Sequence, residues 1–330
     1  MCAKFSSLFI LAASRHGLLA SAQWSALAAP GLTLPDASEL ILEGNRVNAS
    51  PQALAKYEGM VASISAMRSA VVAFSGGVDS SLVLFAAHQA LGDRAIAATG
   101  LSQTYAAEEI AEAKGVAADI GTEHAMVTTM ELTDPRYADN THQRCFFCKS
   151  ELYTRLRALA EERGFAVVLD GANADDMADF RPGHRAAQEL GVRSPLQEAG
   201  LTKSEIREVA AHFSLRTWDK PAAACLSSRF SYGDPITVEK LTRVAAAESA
   251  LKRMGFKGFR VRHHGPVARL EFPPADLDRA FSERESILQQ VKEAGYKYVA
   301  IDLEGYRAGS QNEVLGARLQ TVGLRRSSTV

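Results

Sequence analysis

The chain predicts an α/β fold: a parallel sheet with helices on both faces, followed by a smaller C-terminal α+β domain. Two observations carry this. From Pro51 to about Tyr232, short apolar runs of buried-strand type alternate with helical patterns. After Tyr232 the order changes to helix, two strand-like runs, helix and strand.

The elements follow in order. Leu54, Tyr57, Met60, Val61, Ile64 and Met67 recur at helical intervals, so a helix begins at Pro51. Residues 70–74 form a short buried strand, and residues 82–91 a helix. Strands are expected at 95–100, 123–127 and 166–170, with helices at 106–118 and 148–163. Thr202 and Glu205 make a capping box that starts a helix over 202–213. In the second part a helix covers 237–254, strands cover 259–264 and 268–272, a helical stretch covers 275–294, and a strand closes at 298–303.

At 330 residues the chain is long enough for one large or two ordinary domains. It is 47% hydrophobic and 23% charged, with net charge −1, so nothing demands a nucleic-acid partner. Four cysteines are too few for a disulfide scaffold at this length. Residues 5–20 are apolar after Lys4, and Ala20-Ser21-Ala22 resembles a cleavage site, but Arg15 and His16 interrupt the run. We read residues 1–50 as a loose extension in which Cys2 has no role, and 317–330 as a polar tail. No apolar run approaches the roughly 20 residues of a membrane span.

The most informative residues are Ser75-Gly76-Gly77-Val78-Asp79-Ser80-Ser81, at a strand-to-helix junction. Backbone N–H groups and the helix dipole make such a junction an anion site. Gly76 and Gly77 permit close approach and positive φ. Ser75, Ser80 and Ser81 offer hydroxyls, and Asp79 offers hard oxygens to magnesium. The Gly-Lys-Ser/Thr ending of a Walker loop is missing.

This string resembles the pyrophosphate loop of the N-type ATP pyrophosphatases, which include GMP, NAD and asparagine synthetases and tRNA-thiolating enzymes. The resemblance implies an adenine-nucleotide α-hydrolase-like, Rossmann-like domain. Its ATP site would comprise Ala73, Phe74, the loop from Ser75 through Val78 to Ser81, and Gly171, with Asp79 on magnesium. Members cleave ATP to AMP and pyrophosphate by way of an adenylated substrate.

Further segments narrow this. Arg144-Cys145-Phe146-Phe147-Cys148-Lys149, Asp170-Gly171-Ala172-Asn173, Lys220-Pro221-Ala222-Ala223-Ala224-Cys225-Leu226-Ser227-Ser228-Arg229 and Gly305-Tyr306-Arg307 together resemble the LarE family, over about residues 51–315. Such proteins are ATP-dependent sulfur transferases of nickel-pincer nucleotide synthesis. They convert carboxylates of pyridinium-3,5-biscarboxylic acid mononucleotide to thiocarboxylates. The resemblance makes Cys225 the sulfur-handling residue. In one branch that cysteine surrenders its sulfur and becomes dehydroalanine. In another, three cysteines hold a 4Fe-4S cluster. Cys145, Cys148 and Cys225 favour the cluster branch, with zinc on the same ligands as the alternative.

Arginines complete the expected site. Arg260 and Arg262 alternate on one strand face and suit a mononucleotide phosphate. Arg229 would lower the Cys225 pKa or bind a substrate carboxylate. Glu271 on the next strand and Arg181 on the rim join them as substrate contacts. Asp175 and Asp176 either approach the ligand or cap a helix; His263 and His264 read as surface residues. Tyr105 either stacks on a ring or fills the core, and Trp218 packs beneath the Cys225 loop.

The reading is an ATP pyrophosphatase domain over 51–232 and a substrate and oligomerisation domain over 233–316. The protein is expected to be a cytoplasmic homo-oligomer acting on a small pyridinium nucleotide, with no nucleic acid and no membrane. A tRNA thiolase or an ammonia-using amide synthetase would share the loop. The first should carry a basic face, and the second should tolerate loss of Cys225.

Overall fold

A computed structural model describes residues 48–105, 107–178, 182–221, 224–307 and 310. Cys2, Arg181, nearly all of the 1–50 extension and the 317–330 tail lie outside them.

The first part is built as α1 (Pro51–Ser65), β1 (Ala70–Ala73), α2 (Val78–Leu91), β2 (Ala95–Leu101), α3 (Ala107–Ile120) and β3 (His124–Thr128). There follow α4 (Pro135–Ala138), α5 (Arg144–Arg163), β4 (Val167–Leu169), α6 (Pro182–Glu189), α7 (Pro195–Glu198) and α8 (Lys203–His212). The four strands are parallel, in the order β3-β2-β1-β4. Parallel pairing needs crossover helices, and these cover both faces. Val72, Ala97 and Leu169 pack with α1, α2, α3 and α8 on one side. Val71, Ile96 and Val168 alternate to the other side and pack with α5 and α6. Fully burying each such valine or isoleucine stabilises by about 1.5–3 kcal/mol.

The second part is α9 (Val238–Arg253), β5 (Arg260–His264), β6 (Val267–Glu271), α10 (Leu277–Ser282), α11 (Arg284–Glu293) and β7 (Tyr298–Ile301). Its sheet has the order β5-β6-β7, with β5 and β6 antiparallel and β6 and β7 parallel. Thr237 caps α9, its side chain accepting from Lys240 N, so the helix expected from residue 237 begins one residue later. The single helical stretch expected over 275–294 is two helices, which meet at Glu283. Among the described residues no helix is long and apolar enough to cross a membrane.

The start of α5 departs most usefully from expectation. The sequence predicts helix from residue 148, but the helix begins at Arg144. Phe147 and Cys148 pack against the core of the second sheet, beside Tyr137, Leu226 and Phe230. Tertiary packing therefore extends the helix back through the first cysteine.

Candidate active site

The strand order reverses direction between β1 and β4, so the carboxyl ends of these strands open a crevice of the kind that binds ligands. The Ser75–Ser81 loop leaves β1 there, and α2 begins at Val78 with Gly77 as its N-cap. Gly76 has φ +69°, and a Cβ on it would lie 2.9 Å from the Ala113 Cβ, so glycine is required twice over. Gly77 is extended, with φ −85°, so the positive φ expected for it is not needed. The loop braces itself. Ser75 N donates to Ser80 Oγ at 3.2 Å, and Ser80 Oγ donates to the Gly77 carbonyl at 3.2 Å.

Ala73, Phe74 and Val78 set the ends of the loop. Phe74 N donates to the Ala98 carbonyl at 2.8 Å, and its own carbonyl accepts from Thr99 Oγ1. Phe74 and Val78 are buried, so each can offer a ligand only backbone. Ser81 is a correction: at 0% exposure its hydroxyl is enclosed by the core and is not presented to phosphate. Gly171 lies at the end of β4, where a Cβ would meet Ser80 N at 2.9 Å. Its missing side chain lets β4 close on the loop.

Asp79 lies in the first turn of α2. Its Oδ2 pairs with the Lys203 ammonium, and its Oδ1 accepts from Asn173 Nδ2 at 3.3 Å. Asp175 Oδ2 accepts from Lys203 N at 2.8 Å, and Asp176 Oδ2 from Asn173 N at 3.1 Å. Both aspartates thus secure backbone around the crevice. Lys220 Nζ donates to the Gly76 carbonyl at 2.9 Å and pairs with Glu112 at 2.9 Å. Sequence reasoning passed over Lys203 and Lys220, because only the sheet topology brings them to the loop.

Cys145 and Cys148 occupy the first turn of α5, three residues apart and so on one helix face. Cys225 begins a short turn over Leu226–Arg229, anchored where Leu226 N donates to the Thr104 carbonyl at 3.0 Å. Burial, then the Cys225 charge, then Glu131 push Cys148 far up. Cys145 is exposed, yet the crowding of its surroundings and then the Cys225 charge raise it as well. Tyr105 is pushed well up by burial and then by the Cys148 and Cys225 charges.

Glu131 was also missed. It is 3% exposed; its Oε1 accepts from Ser102 Oγ at 2.5 Å and from Thr104 Oγ1 at 3.0 Å, while its Oε2 has no partner. No sequence signal distinguishes this glutamate from a surface one.

Among the described residues no three His, Cys, Asp or Glu side chains converge on one point as chelators of a single ion. Three thiolates leave one position of a 4Fe-4S cluster open, and the same set would leave zinc one open site, so the donor chemistry admits either group.

The arginines are organised by buried carboxylates. Arg229 pairs with Glu248, and its Nη1 donates to the Ala224 and Cys225 carbonyls at 2.7 and 3.1 Å. Its donors therefore fix the Cys225 loop. Burial alone depresses a guanidinium, but Glu248 more than offsets this and holds Arg229 above its ordinary value. Arg262 pairs with Glu271 at 2.7 Å and donates to the Ser228 carbonyl at 2.8 Å. Glu271, also bound by Arg269 at 3.1 Å, is buried beneath these cations and does not face an open pocket. Arg260 stacks on Tyr306 at 4.7 Å, and burial and then the Arg229 charge hold it below its ordinary value. An anion placed there would relieve that repulsion.

Two further expectations change. Trp218 is 44% exposed, so it is not the buried support expected of it. His263 is buried, with Nδ1 3.1 Å from Tyr296 Oη, and only His264 is a surface residue.

Comparison with known proteins agrees with this geometry. The asparagine synthase family matches residues 61–255. The chain is 37% identical over 261 residues to pyridinium-3,5-bisthiocarboxylic acid mononucleotide synthase of Lactiplantibacillus plantarum, covering 79% of this chain and 95% of that protein. It is 45% identical over 248 residues to an uncharacterized protein of Synechocystis, covering 74% and 92%. It is 31% identical over 163 residues to one component of the glutamine-hydrolyzing GMP synthase of Archaeoglobus fulgidus, covering 44% and 51%. The fold and loop define an ATP-using enzyme of the PP-loop pyrophosphatase class. Within that class the chain belongs to the LarE family.

Proposed function

We infer that this protein adenylates a carboxylate of pyridinium-3,5-biscarboxylic acid mononucleotide with ATP and converts it to a thiocarboxylate, releasing AMP and pyrophosphate. The observation that carries this reading is the Ser75–Ser81 loop at the N-terminus of α2, in a chain 37% identical over 261 residues to a pyridinium-3,5-bisthiocarboxylic acid mononucleotide synthase. A superfamily fold alone would support only adenylation.

The N-terminus of α2 and the Ser75–Gly77 backbone grip the pyrophosphate end of ATP, with Asp79 directing magnesium to the phosphates. The substrate carboxylate attacks the α-phosphorus, pyrophosphate leaves, and the carboxyl carbon becomes electrophilic. A sulfide-level sulfur adds to that carbon and AMP departs; where that sulfur is Cys225's own, the thioester formed releases the thiocarboxylate by β-elimination, which breaks the Cβ–S bond and leaves dehydroalanine. Holding both reactants in one crevice supplies proximity that solution lacks. Arg260 and Arg262 serve the substrate phosphate, with Glu271 orienting Arg262 and Arg229 fixing the Cys225 loop. Arg181 belongs to the same proposal from sequence alone.

Cys145, Cys148 and Cys225 would hold a 4Fe-4S cluster, which supplies an iron site open to sulfur. The reaction is placed in the cytoplasm, where ATP is available, and in a homo-oligomer. The formal net charge of −1 disfavours the tRNA-thiolase reading. Iron and acid-labile sulfide are to be measured on anaerobically purified protein and on the Cys145→Ala, Cys148→Ala and Cys225→Ala variants. Iron lost in each variant supports the cluster. An iron-free protein that loses sulfur mass at Cys225 on turnover rejects the cluster and makes the cysteine itself the donor.

A further inference from the structure

Lys203 occupies the carboxylate that the loop offers to a metal. Asp79 Oδ2 is taken by the Lys203 ammonium and Oδ1 by Asn173. A magnesium ion on this carboxylate would share it with the ammonium, and two cations on one carboxylate repel, so binding of the metal favours release of the lysine. The displaced ammonium would stand beside the strongest anion that the site receives.

We propose that Lys203 and Asp79 exchange partners when nucleotide binds: Lys203 neutralises Asp79 in the empty protein, then yields it to magnesium and moves onto the pyrophosphate oxygens. The proposal rests on the reading that this loop takes magnesium and ATP.

Two observations favour exchange over a permanent pair. The two side chains are 32% and 24% exposed, so the pair is within reach of water and of an entering ligand. The anchor of Lys203 is rigid, because it is the first residue of α8, behind the Thr202–Glu205 capping box, and its N–H is held by Asp175. The flexible stem can therefore swing while the backbone stays fixed. Lys220, by contrast, already ties the Gly76 carbonyl to Glu112 and serves as a fixed brace of the loop.

Exchange predicts effects of opposite sign, which a merely structural ion pair does not. In Lys203→Met, Mn²⁺ binding without nucleotide, read by electron paramagnetic resonance, should tighten because Asp79 has lost its competitor. Binding of inorganic pyrophosphate in chelator, read by calorimetry, should weaken by about tenfold, the equivalent of one charge-assisted contact. Asp79→Asn frees the lysine, so metal-free pyrophosphate binding should be maintained or strengthened while the Mn²⁺ site is lost. Lys203→Arg should keep pyrophosphate binding within about threefold of wild type, since the cation remains. Weaker binding of both probes in Lys203→Met, or weaker metal-free pyrophosphate binding in Asp79→Asn, overturns the exchange. Wild-type protein that binds neither ATP nor pyrophosphate would instead reject the underlying reading of the loop.

Discussion

Arg229 donates to both carboxylate oxygens of Glu248, from Nε at 2.8 Å and Nη2 at 3.0 Å, with both side chains buried. The same guanidinium holds the Ala224 and Cys225 carbonyls, and Glu248 Oε1 also accepts from Val261 N at 3.1 Å. One ion pair thus joins the sulfur loop to β5 of the second sheet. Glu248→Gln leaves a buried cation without its counter-charge, which costs about 3–5 kcal/mol. Urea unfolding should register this loss, and Cys225 should alkylate faster as its loop loosens. A stability change within about 0.5 kcal/mol, the range of a surface substitution, would contradict the role assigned to the pair.

Gly76→Ala should both destabilise the protein, by about 1–3 kcal/mol, and abolish ATP binding, because it imposes positive φ on a residue with a Cβ and drives that atom onto Ala113. Adding Ala113→Gly supplies space but leaves the backbone strain, so rescue should be partial. Full rescue of ATP binding in the double variant would mean that the dihedral carries no cost.

Much of this was legible in the chain. The strand–loop–helix signature at residues 70–91 and the capping box at Thr202 depend on neighbours in sequence, and both appear as expected. The pairing of Cys145 with Cys148 was visible as spacing, but their helix start was not, since packing on the second core creates it. Lys203 and Glu131 were missed for a related reason. Their partners, Asp79 and the Ser102–Thr104 pair, lie far away in sequence, and a lone charged residue carries no mark of the tertiary neighbour that will hold it. Arg229, Arg262 and Glu271 were legible as a group but not in role, because burial turned them towards one another.

His263 gives a pH prediction. Burial holds its imidazole below the ordinary value, against a smaller opposing effect of Asp234 and in company with Lys240, Arg243 and His264. The unfolded chain therefore binds the proton more readily. The stability from neutral His263 is full above the ordinary imidazole pKa and declines as pH falls through and below it. Thermal melts should show wild type losing stability as pH falls below about 6.5, the ordinary imidazole value, with a shallower slope in His263→Gln. Equal slopes would contradict a neutral buried ring.

The most direct test of the account is mass spectrometry of the nucleotide product. Wild type and Cys225→Ser would each be incubated anaerobically with magnesium, ATP and pyridinium-3,5-biscarboxylic acid mononucleotide, with pyrophosphate release followed in parallel. The account predicts a product in which sulfur replaces a carboxyl oxygen, formed by wild type alone, while Cys225→Ser still releases pyrophosphate. Thiocarboxylate formed equally well by Cys225→Ser, or pyrophosphate release by wild type with no sulfur in the product, would contradict it.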